Sequence, residues 1–219
     1  MRTLIRSIQD RDPVAPGFWE VVFAYNGFHA VVFHRVNHWL WKRKLRLLAR
    51  ILSNIARMLT GIEIHPGARI GKNLFIDHGT GVVIGETSVI GDEVTIYHGV
   101  TLGGNKQSGK GQKRHPTLHN GVMIGAGAQV LGNITIGSFS RVGSNSVVTS
   151  DVPDHTTVTG IPARIMQTRG EADQGFSYGL PEHDFNNPLE DMMIKLMKDM
   201  ERLKQAMPAK ETPADSYEI

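Results

Sequence analysis

Aliphatic residues recur at every sixth position through the middle of the chain. The repeat comprises Ile64, Ile70, Ile76, Ile84, Ile90, Ile96, Leu102, Leu118, Ile124, Val130, Ile136, Val142 and Val148. An α-helix cannot keep a period of six on one face, and an amphipathic strand alternates with a period of two. Thirteen hexads instead predict a parallel β-helix, in which three short sides make one coil and the aliphatic side chains stack inside. A β-sandwich with accidental spacing is the alternative, and so long a repeat disfavours it.

Two interruptions break the repeat, and function is expected where a regular solenoid becomes irregular. A two-residue slip lies within residues 77–83 and includes Asp77 and His78. Counting the coil from Ile64 brings Glu63 close to His78. A carboxylate that holds one imidazole nitrogen leaves the other free to act as a general base. The alternative is a corner histidine whose hydrogen bonds are satisfied by the backbone.

The second interruption is a basic, glycine-rich insert at residues 103–117. It carries Lys106, Lys110, Lys113, Arg114 and His115. These cations suit an anionic ligand, and the Arg114 guanidinium suits a carboxylate. The spacing nearly matches a phosphate-binding P-loop, but Gly111 replaces the Ser or Thr that would hold magnesium, and no helical pattern follows. The alternative to a binding loop is a solvated surface loop.

The segment before the repeat, residues 1–61, is predicted to be helical. We place helices within residues 14–60, with Pro16 at a first helical position and Gly61 as the glycine that ends the last helix. The basic, amphipathic sequence LWKRKLRLLARILSNIARML is expected to pack against the β-helix and its neighbours, and a membrane-surface helix is the alternative. The β-helix domain then spans residues 62–169 and includes the insert.

Residues 170–219 are predicted to form a linker, a helix and a flexible tail. The helix, at residues 188–207, begins with a proline and carries a heptad seam. The seam residues are Leu189, Met193, Leu196, Met200, Leu203 and Met207. Because fewer than three heptads are marginal alone, the seam predicts a three-stranded bundle with neighbouring chains. Packing on the chain's own body is the alternative.

Composition narrows the function classes. With no Cys among 219 residues, a disulfide framework, a thiol nucleophile and a Cys-ligated metal are excluded. The net charge of +3 is a weak field that does not favour nucleic acid. No uncharged apolar run reaches about 18 residues, and the N-terminus lacks the pattern of a signal peptide. A cytoplasmic protein without a membrane partner is therefore expected.

Histidine spacing raises a metal site as an alternative. His98 follows His78 by one coil plus the slip, so the two imidazoles are expected to stack, and zinc binds imidazole nitrogens. His65, His115 or His119 would be the third ligand, but none has an obvious carboxylate behind it. We therefore predict no metal and no tightly bound cofactor.

Seven blocks of sequence carry a family resemblance. They are RDP (11–13), NGFHAVVFHRVNHWLW (26–41), IHPGARIG (64–71), DHGTGVVIGET (77–87), VTLGG (100–104), RHPTLHNGVMIGAGAQVLGNITIG (114–137) and GIPARI (160–165). From about Asp12 to Ile165 the chain resembles the serine O-acetyltransferases of the hexapeptide-repeat acyltransferase family. The resemblance implies an α+β fold, with a helical N-terminal region followed by a left-handed parallel β-helix of hexapeptide repeats. The C-terminal heptad-like helix is not a usual family feature.

The resemblance also implies a reaction. An acetyl group would pass from acetyl-CoA, the co-substrate, to the hydroxyl of L-serine, giving O-acetyl-L-serine for cysteine biosynthesis. His78 resembles the family's general base, and Glu63 stands at the position of its carboxylate partner, where the family more often has Asp. His115 resembles a second active-site histidine.

The substrate contacts follow from the same resemblance. Asp12 and Asp77 match the residues that hold the serine amino group, and Arg114 matches the residue that holds its carboxylate. The acetyl-CoA groove is matched by Gly103, Gly104, Asn105, Lys106, Ala126 and Arg141. Attack is expected to be direct, because no Cys is present to carry the acetyl group.

Members of the resembled family assemble as trimers, with active sites between subunits. A homotrimer is therefore expected, with a dimer of trimers as the alternative. A C-terminal Ile in this family can enter the active site of O-acetylserine sulfhydrylase, which makes Ile219 a candidate contact with that enzyme. Cysteine is expected to inhibit at the serine site, since the two amino acids differ by one atom. The rival functions are another hexapeptide acyltransferase acting on a sugar or an antibiotic, a metal-dependent carbonic anhydrase, and a non-catalytic partner of the sulfhydrylase.

Overall fold

The computed structural model describes residues 1–105, 111–166 and 188–206. The chain divides into two units, residues 1–182 and residues 183–219. The predicted linker at residues 170–187 and the tail that ends in Ile219 lie outside the described residues. The first unit combines helices with a β-helix, and the second contains a helix.

Four helices precede the β-helix. They are α1 (Arg2–Arg11), α2 (Phe18–Ala24), α3 (Asn26–Lys42) and α4 (Arg46–Thr60). Helix α1 lies in the segment predicted to be helical but before residues 14–60, within which the helices were expected, and its short apolar stripe is buried in the core. Pro16 does not begin a helix, because Gly17 is the N-cap of α2. Gly61 ends α4 in the left-handed conformation, with φ of 73°, as predicted.

Short strands follow, and they are arranged in three sheets. They are β1 (Glu63–Ile64), β2 (Arg69–Ile70), β3 (Phe75–Ile76), β4 (Val83–Ile84), β5 (Val89–Ile90), β6 (Thr95–Ile96), β7 (Thr101–Gly103), β8 (Thr117–Leu118), β9 (Met123–Ile124), β10 (Gln129–Leu131), β11 (Thr135–Ile136), β12 (Arg141–Val142), β13 (Val147–Val148), β14 (Thr157–Gly160) and β15 (Ala163–Ile165). Sheet A has the order β1-β4-β7-β10-β13, sheet B the order β11-β8-β5-β2, and sheet C the order β15-β14-β12-β9-β6-β3. Successive strands pass from sheet A to sheet B to sheet C, so the chain winds around a three-sided prism.

The register of the parallel strands reproduces the hexad count. Ile84 pairs with Leu102, eighteen residues on, which is three hexads. The slip lengthens its coil by two residues, since Ile64 pairs with Ile84. The insert lengthens its coil by ten, since Leu102 pairs with Val130. The predicted parallel β-helix is confirmed, and its two longer coils carry the two interruptions seen in the sequence.

Aliphatic side chains of the hexads fill the interior, and the helices pack against the outside. The fully buried residues include Ile96, Leu102, Ile124, Val130 and Ile136. Helix α3 lies directly on β3 through Gly27. A Cβ at Gly27 would overlap the carbonyl oxygen of Ile76 and lie 3.0 Å from its Cβ, so glycine permits this close approach.

Helix α4 packs on the β-helix, as predicted, and the face that makes the contact is a narrow one of small residues. Ala49, Ser53 and Ala56 are buried, and the Ser53 hydroxyl donates to the Ile64 carbonyl oxygen at 2.9 Å. The opposite face keeps exposed apolar side chains such as Leu47. Within the described ranges, no helix is long and apolar enough to cross a membrane.

The second unit contains α5 (Pro188–Ala206), which agrees with the predicted helix to within one residue. Its seam residues Met193, Leu196, Met200 and Leu203 are 53–66% exposed. Side chains of this size are seldom left in water along a whole helix face, so the seam is a surface suited to a partner.

Candidate active site

The slip at residues 77–83 forms a corner where the chain passes from sheet C to sheet A. We name Asp12, Tyr25, Asp77, His78 and His98 the His78 corner. His78 has a φ of 56° and a side chain that is 65% exposed. Its ring lies beside that of His98, as the spacing predicted, but edge to face, with 5.9 Å between centroids. No three His, Cys, Asp or Glu side chains gather as metal ligands in the part of the chain that the structure describes.

Two carboxyl groups give the His78 corner its electrostatic character. Asp77 Oδ1 lies 4.0 Å from His78 Nε2. Asp12 accepts hydrogen bonds from the Tyr25 hydroxyl at 2.6 Å and from the Val14 N–H at 2.9 Å. Burial raises the pKa of Asp77 and the charge of Asp12 raises it further, whereas the nearby imidazoles lower it. A carboxyl group whose charge is disfavoured by burial and by a neighbouring carboxylate is stabilised by a cation beside it, so the corner suits an ammonium group.

Glu63 does not belong to the His78 corner in the single chain. It begins β1 on sheet A, and its Oε2 lies 3.2 Å from Nη1 of Arg57 in α4. Among the described residues, Asp77 is the carboxylate within 4.0 Å of the His78 ring. In the single chain the predicted contact between Glu63 and His78 is not made, and Glu63 pairs with Arg57 of α4 instead.

A second cluster lies at the corner where the chain passes from sheet A to sheet B. We name Glu86, Thr87, Lys113, Arg114 and His115 the Arg114 corner. Arg114 Nη2 lies 3.6 Å from Glu86 Oε2. His115 is 7% exposed, and its ring lies on Gly85, where a Cβ would overlap it. Burial lowers the pKa of His115, and Arg114 and Lys113 lower it further against the opposing effect of Glu86. The corner thus presents a guanidinium beside a neutral imidazole.

The two corners lie at opposite edges of sheet A. The side between them is one hexad of the coil, and roughly four to six extended residues span about 13–20 Å. A serine molecule is no longer than two extended residues, about 7 Å. The structure therefore brings Asp12, Asp77 and His78 together at one corner and Arg114 and His115 at the other, but one chain does not place all five around a single serine.

Residues predicted to line the acetyl-CoA groove divide between the same two edges. Ala126 lies one coil beyond His98, where the Gly127 N–H donates to the His98 carbonyl oxygen at 2.8 Å. At the other edge, at the start of the insert, lie Gly103, Gly104 and Asn105. Arg141 lies apart from both, on β12 of sheet C. Lys106 is outside the described residues.

The chain is similar to proteins of one family along most of its length. The model for "bacterial transferase hexapeptide (six repeats)" matches residues 115–150. The serine acetyltransferase of Bacillus pumilus (strain SAFR-032) is 49% identical over 201 residues, which are 91% of this chain and 90% of that protein. The serine acetyltransferase of Mycobacterium tuberculosis (strain H37Rv) is 54% identical over 183 residues, 83% of this chain and 79% of its own. The chain belongs to the serine acetyltransferase family.

Solved serine acetyltransferases have the same fold. The Neisseria gonorrhoeae protein in complex with serine superposes with a TM-score of 0.71 at 45% identity, over 74% of this chain and 66% of that chain. The Brucella abortus strain S19 protein in complex with coenzyme A gives 0.73 at 45% identity, over 77% and 67%. A serine acetyltransferase in complex with cysteine gives 0.74 at 40% identity, over 80% and 70%. This chain thus spans about two thirds of the solved chains, its left-handed parallel β-helix is confirmed, and as a family member it is an acyltransferase.

Sequence reasoning missed two residues at the site of this serine acetyltransferase family member. Tyr25 holds Asp12 from the bend between α2 and α3, and Thr87 binds the end of the insert. A tyrosine between helices and a threonine beside a hexad are typical of packing residues, so the residue types alone do not indicate function. Their positions in the sequence could have indicated a role at the site. Thr87 is the last residue of the DHGTGVVIGET block, and Tyr25 directly precedes the NGFHA sequence.

Proposed function

We propose that this chain transfers the acetyl group of acetyl-CoA to the hydroxyl of L-serine, giving O-acetyl-L-serine and CoA. The observation that carries the proposal is the His78 corner, where an exposed imidazole lies 4.0 Å from Asp77 and the charge of Asp12 acts on the same carboxyl group, an arrangement suited to an ammonium group. Relatives solved with serine and with coenzyme A support the same pair of substrates.

His78 is the general base in this proposal. Its imidazole takes the proton of the serine hydroxyl as the serine oxygen forms a bond to the thioester carbonyl carbon. The tetrahedral intermediate then collapses, the C–S bond breaks, and protonated His78 gives its proton to the CoA sulfur. Backbone N–H groups near Gly103 and Gly104 would stabilise the oxyanion. Because the chain contains no Cys, the acetyl group passes directly within a ternary complex.

Selectivity for an amino acid comes from clamps of opposite charge. Asp12 and Asp77 would bind the serine ammonium group, and the Arg114 guanidinium would bind the carboxylate with two parallel hydrogen bonds. Neither clamp is needed by an enzyme that acetylates a sugar.

Glu63 is the proposed carboxylate partner of His78, and that role has a structural condition. The Glu63 carboxylate must leave Arg57 for the imidazole when the site is assembled. The Glu63→Gln variant tests this, because a true partner of the base would lower kcat when neutralised. An Arg57→Gln variant is the control, since it removes the competing ion pair and leaves the carboxylate. Unchanged kcat in Glu63→Gln would contradict the role.

We propose that neighbouring chains complete the site in a homotrimer. The support is the separation of the two corners across sheet A, which cyclic symmetry resolves by facing the His78 corner of one chain with the Arg114 corner of the next. Co-expression of Asp77→Asn and Arg114→Met chains tests this. Each variant alone should be inactive, whereas every mixed trimer contains one site with both native corners and should be active. Mixed oligomers without activity would contradict the shared site.

The same assembly gives α5 a partner. We propose that three α5 helices pack their seams together, because Met193, Leu196, Met200 and Leu203 are exposed in the described chain. Deleting residues 187–219 should lower the thermal stability of the trimer. Unchanged stability and unchanged mass in solution would contradict the bundle.

Two regulatory contacts belong to the proposal. Cysteine would inhibit at the serine site, which a solved relative in complex with cysteine supports, and the inhibition should be competitive with serine. Ile219 would enter O-acetylserine sulfhydrylase, so deletion of this single residue should abolish co-elution with that enzyme. Non-competitive inhibition would contradict cysteine binding at the serine site. Co-elution without Ile219 would contradict the contact between Ile219 and the sulfhydrylase.

The activity itself is tested by thiol release from acetyl-CoA in the presence of serine, threonine or homoserine. Serine should give the highest kcat/KM, because the clamps hold its backbone groups and leave its short hydroxymethyl arm at His78. Thiol release that depends on a sugar or an antibiotic instead of an amino acid would support the rival acyltransferase and contradict the proposal.

A further inference from the structure

The Thr87 hydroxyl lies at the centre of a hydrogen-bond network in the Arg114 corner. Its Oγ1 accepts the backbone N–H of Arg114 at 3.0 Å and the backbone N–H of His115 at 3.1 Å. Lys113 also joins the end of the insert to Thr87, because its Nζ donates to the carbonyl oxygens of His115 at 2.8 Å and of Thr87 at 3.1 Å. One threonine side chain therefore holds the end of the insert against the preceding coil.

The same threonine contacts Nδ1 of the His115 ring. The backbone N–H of Thr87 donates to Nδ1 at 3.2 Å, and Thr87 Oγ1 lies 2.8 Å from Nδ1. An N–H donor that points at a ring nitrogen requires a lone pair there. Because Oγ1 already accepts two N–H groups, its own proton is available to Nδ1. Both contacts therefore fix Nδ1 as the unprotonated nitrogen, and the proton of the neutral ring lies on Nε2.

The surroundings of the ring favour its neutral form. It is buried against Gly85, and the charged or titratable groups around it are Glu86, Lys113, Arg114 and His65. Burial is the largest cause of the lowered pKa of His115. The charges of Arg114 and Lys113 lower this pKa further, and the charge of Glu86 raises it. Among the described residues, none accepts a hydrogen bond from Nε2, so its N–H is available to a ligand.

We propose that Thr87 is a positioning residue that holds His115 in the Nε2–H tautomer and makes His115 a hydrogen-bond donor to an anionic oxygen of the substrate. This inference rests on the proposed function, and it separates the roles of the two histidines. His115 presents a proton beside Arg114, where negative charge is bound, and does not accept one. His78, on the other corner, is left as the base.

The tautomer is tested directly on the full-length protein labelled with ¹⁵N in histidine. Long-range ¹H–¹⁵N correlation spectra distinguish a protonated from an unprotonated ring nitrogen, and a His115→Gln variant identifies the His115 signals. In the native protein, Nδ1 should be unprotonated and Nε2 protonated at neutral pH. A proton on Nδ1 would overturn the proposal, whatever the activity of the enzyme.

Thr87→Val and Thr87→Ser variants test the role of the hydroxyl. Valine keeps the shape of threonine and removes the hydroxyl with its three hydrogen bonds, so His115 should populate both tautomers and its pKa should rise. The kcat/KM should fall at least about tenfold, which is the effect of a single lost hydrogen bond. Serine keeps the hydroxyl and should restore the native spectrum and pH profile. A Thr87→Val protein with the native tautomer and pH profile would overturn the inference.

A failure of the inference about Thr87 can be distinguished from a failure of the proposed function. If Thr87→Val does not fold, the comparison of Thr87→Ser with the native protein still decides, because a changed His115 tautomer in a protein that keeps the hydroxyl would contradict the proposal. If the native protein releases no thiol with serine, the proposed function fails, while the spectra still report the tautomer.

Discussion

Replacing Gly85 by alanine tests whether the position of the His115 ring matters for stability and activity. The ring comes from the next coil and lies directly on the Gly85 backbone. A Cβ at residue 85 would overlap Cδ2 and Nε2 of His115 and lie 2.8 Å from Cγ. Carbon atoms in contact are about 3.5–4.0 Å apart, so the ring must retreat by at least about 1.5 Å. It cannot do so freely, because Nδ1 lies 2.8 Å from Thr87 Oγ1.

The displacement sets the expected size of the effect. Overpacking a buried site costs about 1–3 kcal/mol of unfolding free energy, which chemical denaturation measures. A misplacement of about 1 Å in an active site costs about 100-fold in rate, which the thiol-release assay measures as kcat/KM. We expect Gly85→Ala to show both losses.

A double-mutant cycle with His115→Ala separates the steric effect from a general weakness of the coil. In the His115→Ala background the overlapping ring is gone, so Gly85→Ala should change the unfolding free energy by less than about 0.5 kcal/mol. Equal costs in the two backgrounds, or native kcat/KM in the Gly85→Ala single variant, would refute the reasoning.

Three further predictions concern the helices that frame the site. Tyr25→Phe removes the hydroxyl that orients Asp12, so KM for serine should rise about tenfold with kcat unchanged in steady-state kinetics, and an altered kcat alone would argue against it. Gly27→Ala places a Cβ against the Ile76 backbone and should cost at least about 1–3 kcal/mol in denaturation, whereas Gly17→Ala, which faces open space, should cost far less. Burial lowers the pKa of His34 from 6.5 to about 3, so the unfolded chain binds a proton that the folded chain rejects. Stability should therefore fall as pH drops below about 6.5, by up to about 1.4 kcal/mol per unit, and denaturation at several pH values should show a shallower fall in His34→Gln.

The β-helix could be predicted from sequence because its rule is local. Each hexad places one aliphatic residue inside, and the same rule repeated fixes which residues are neighbours in successive coils. The count therefore placed His98 beside His78 and located both irregular coils. The end of α4 and the bounds of α5 were also close, since Gly61 signals the end of a helix and the proline at residue 188 signals a start.

The remaining features depend on contacts that no repeat encodes. The partner of Glu63 depends on how α4 lies over β1, which brings Arg57 to it. The contact between Thr87 and His115 joins the coil before the insert to the last residues of the insert, and the length of an insert does not fix where its end returns. The three-sided winding puts Asp77 and Arg114 at opposite edges of sheet A. The hexad count predicts the coil of each residue, but it does not predict whether the two residues share one site.

His78 is proposed to remove the proton from the serine hydroxyl, and one substitution tests this role most directly. His78 has a left-handed φ of 56°, which asparagine tolerates, so His78→Asn removes the base without straining the backbone. The exposed His155, with φ of 54°, provides the matched control His155→Asn. We expect kcat for thiol release with serine to fall about 10²–10⁴-fold in His78→Asn, with fold and oligomer unchanged, and to remain native in His155→Asn. A His78→Asn enzyme with native kcat, or an equal loss in both variants, would contradict the account.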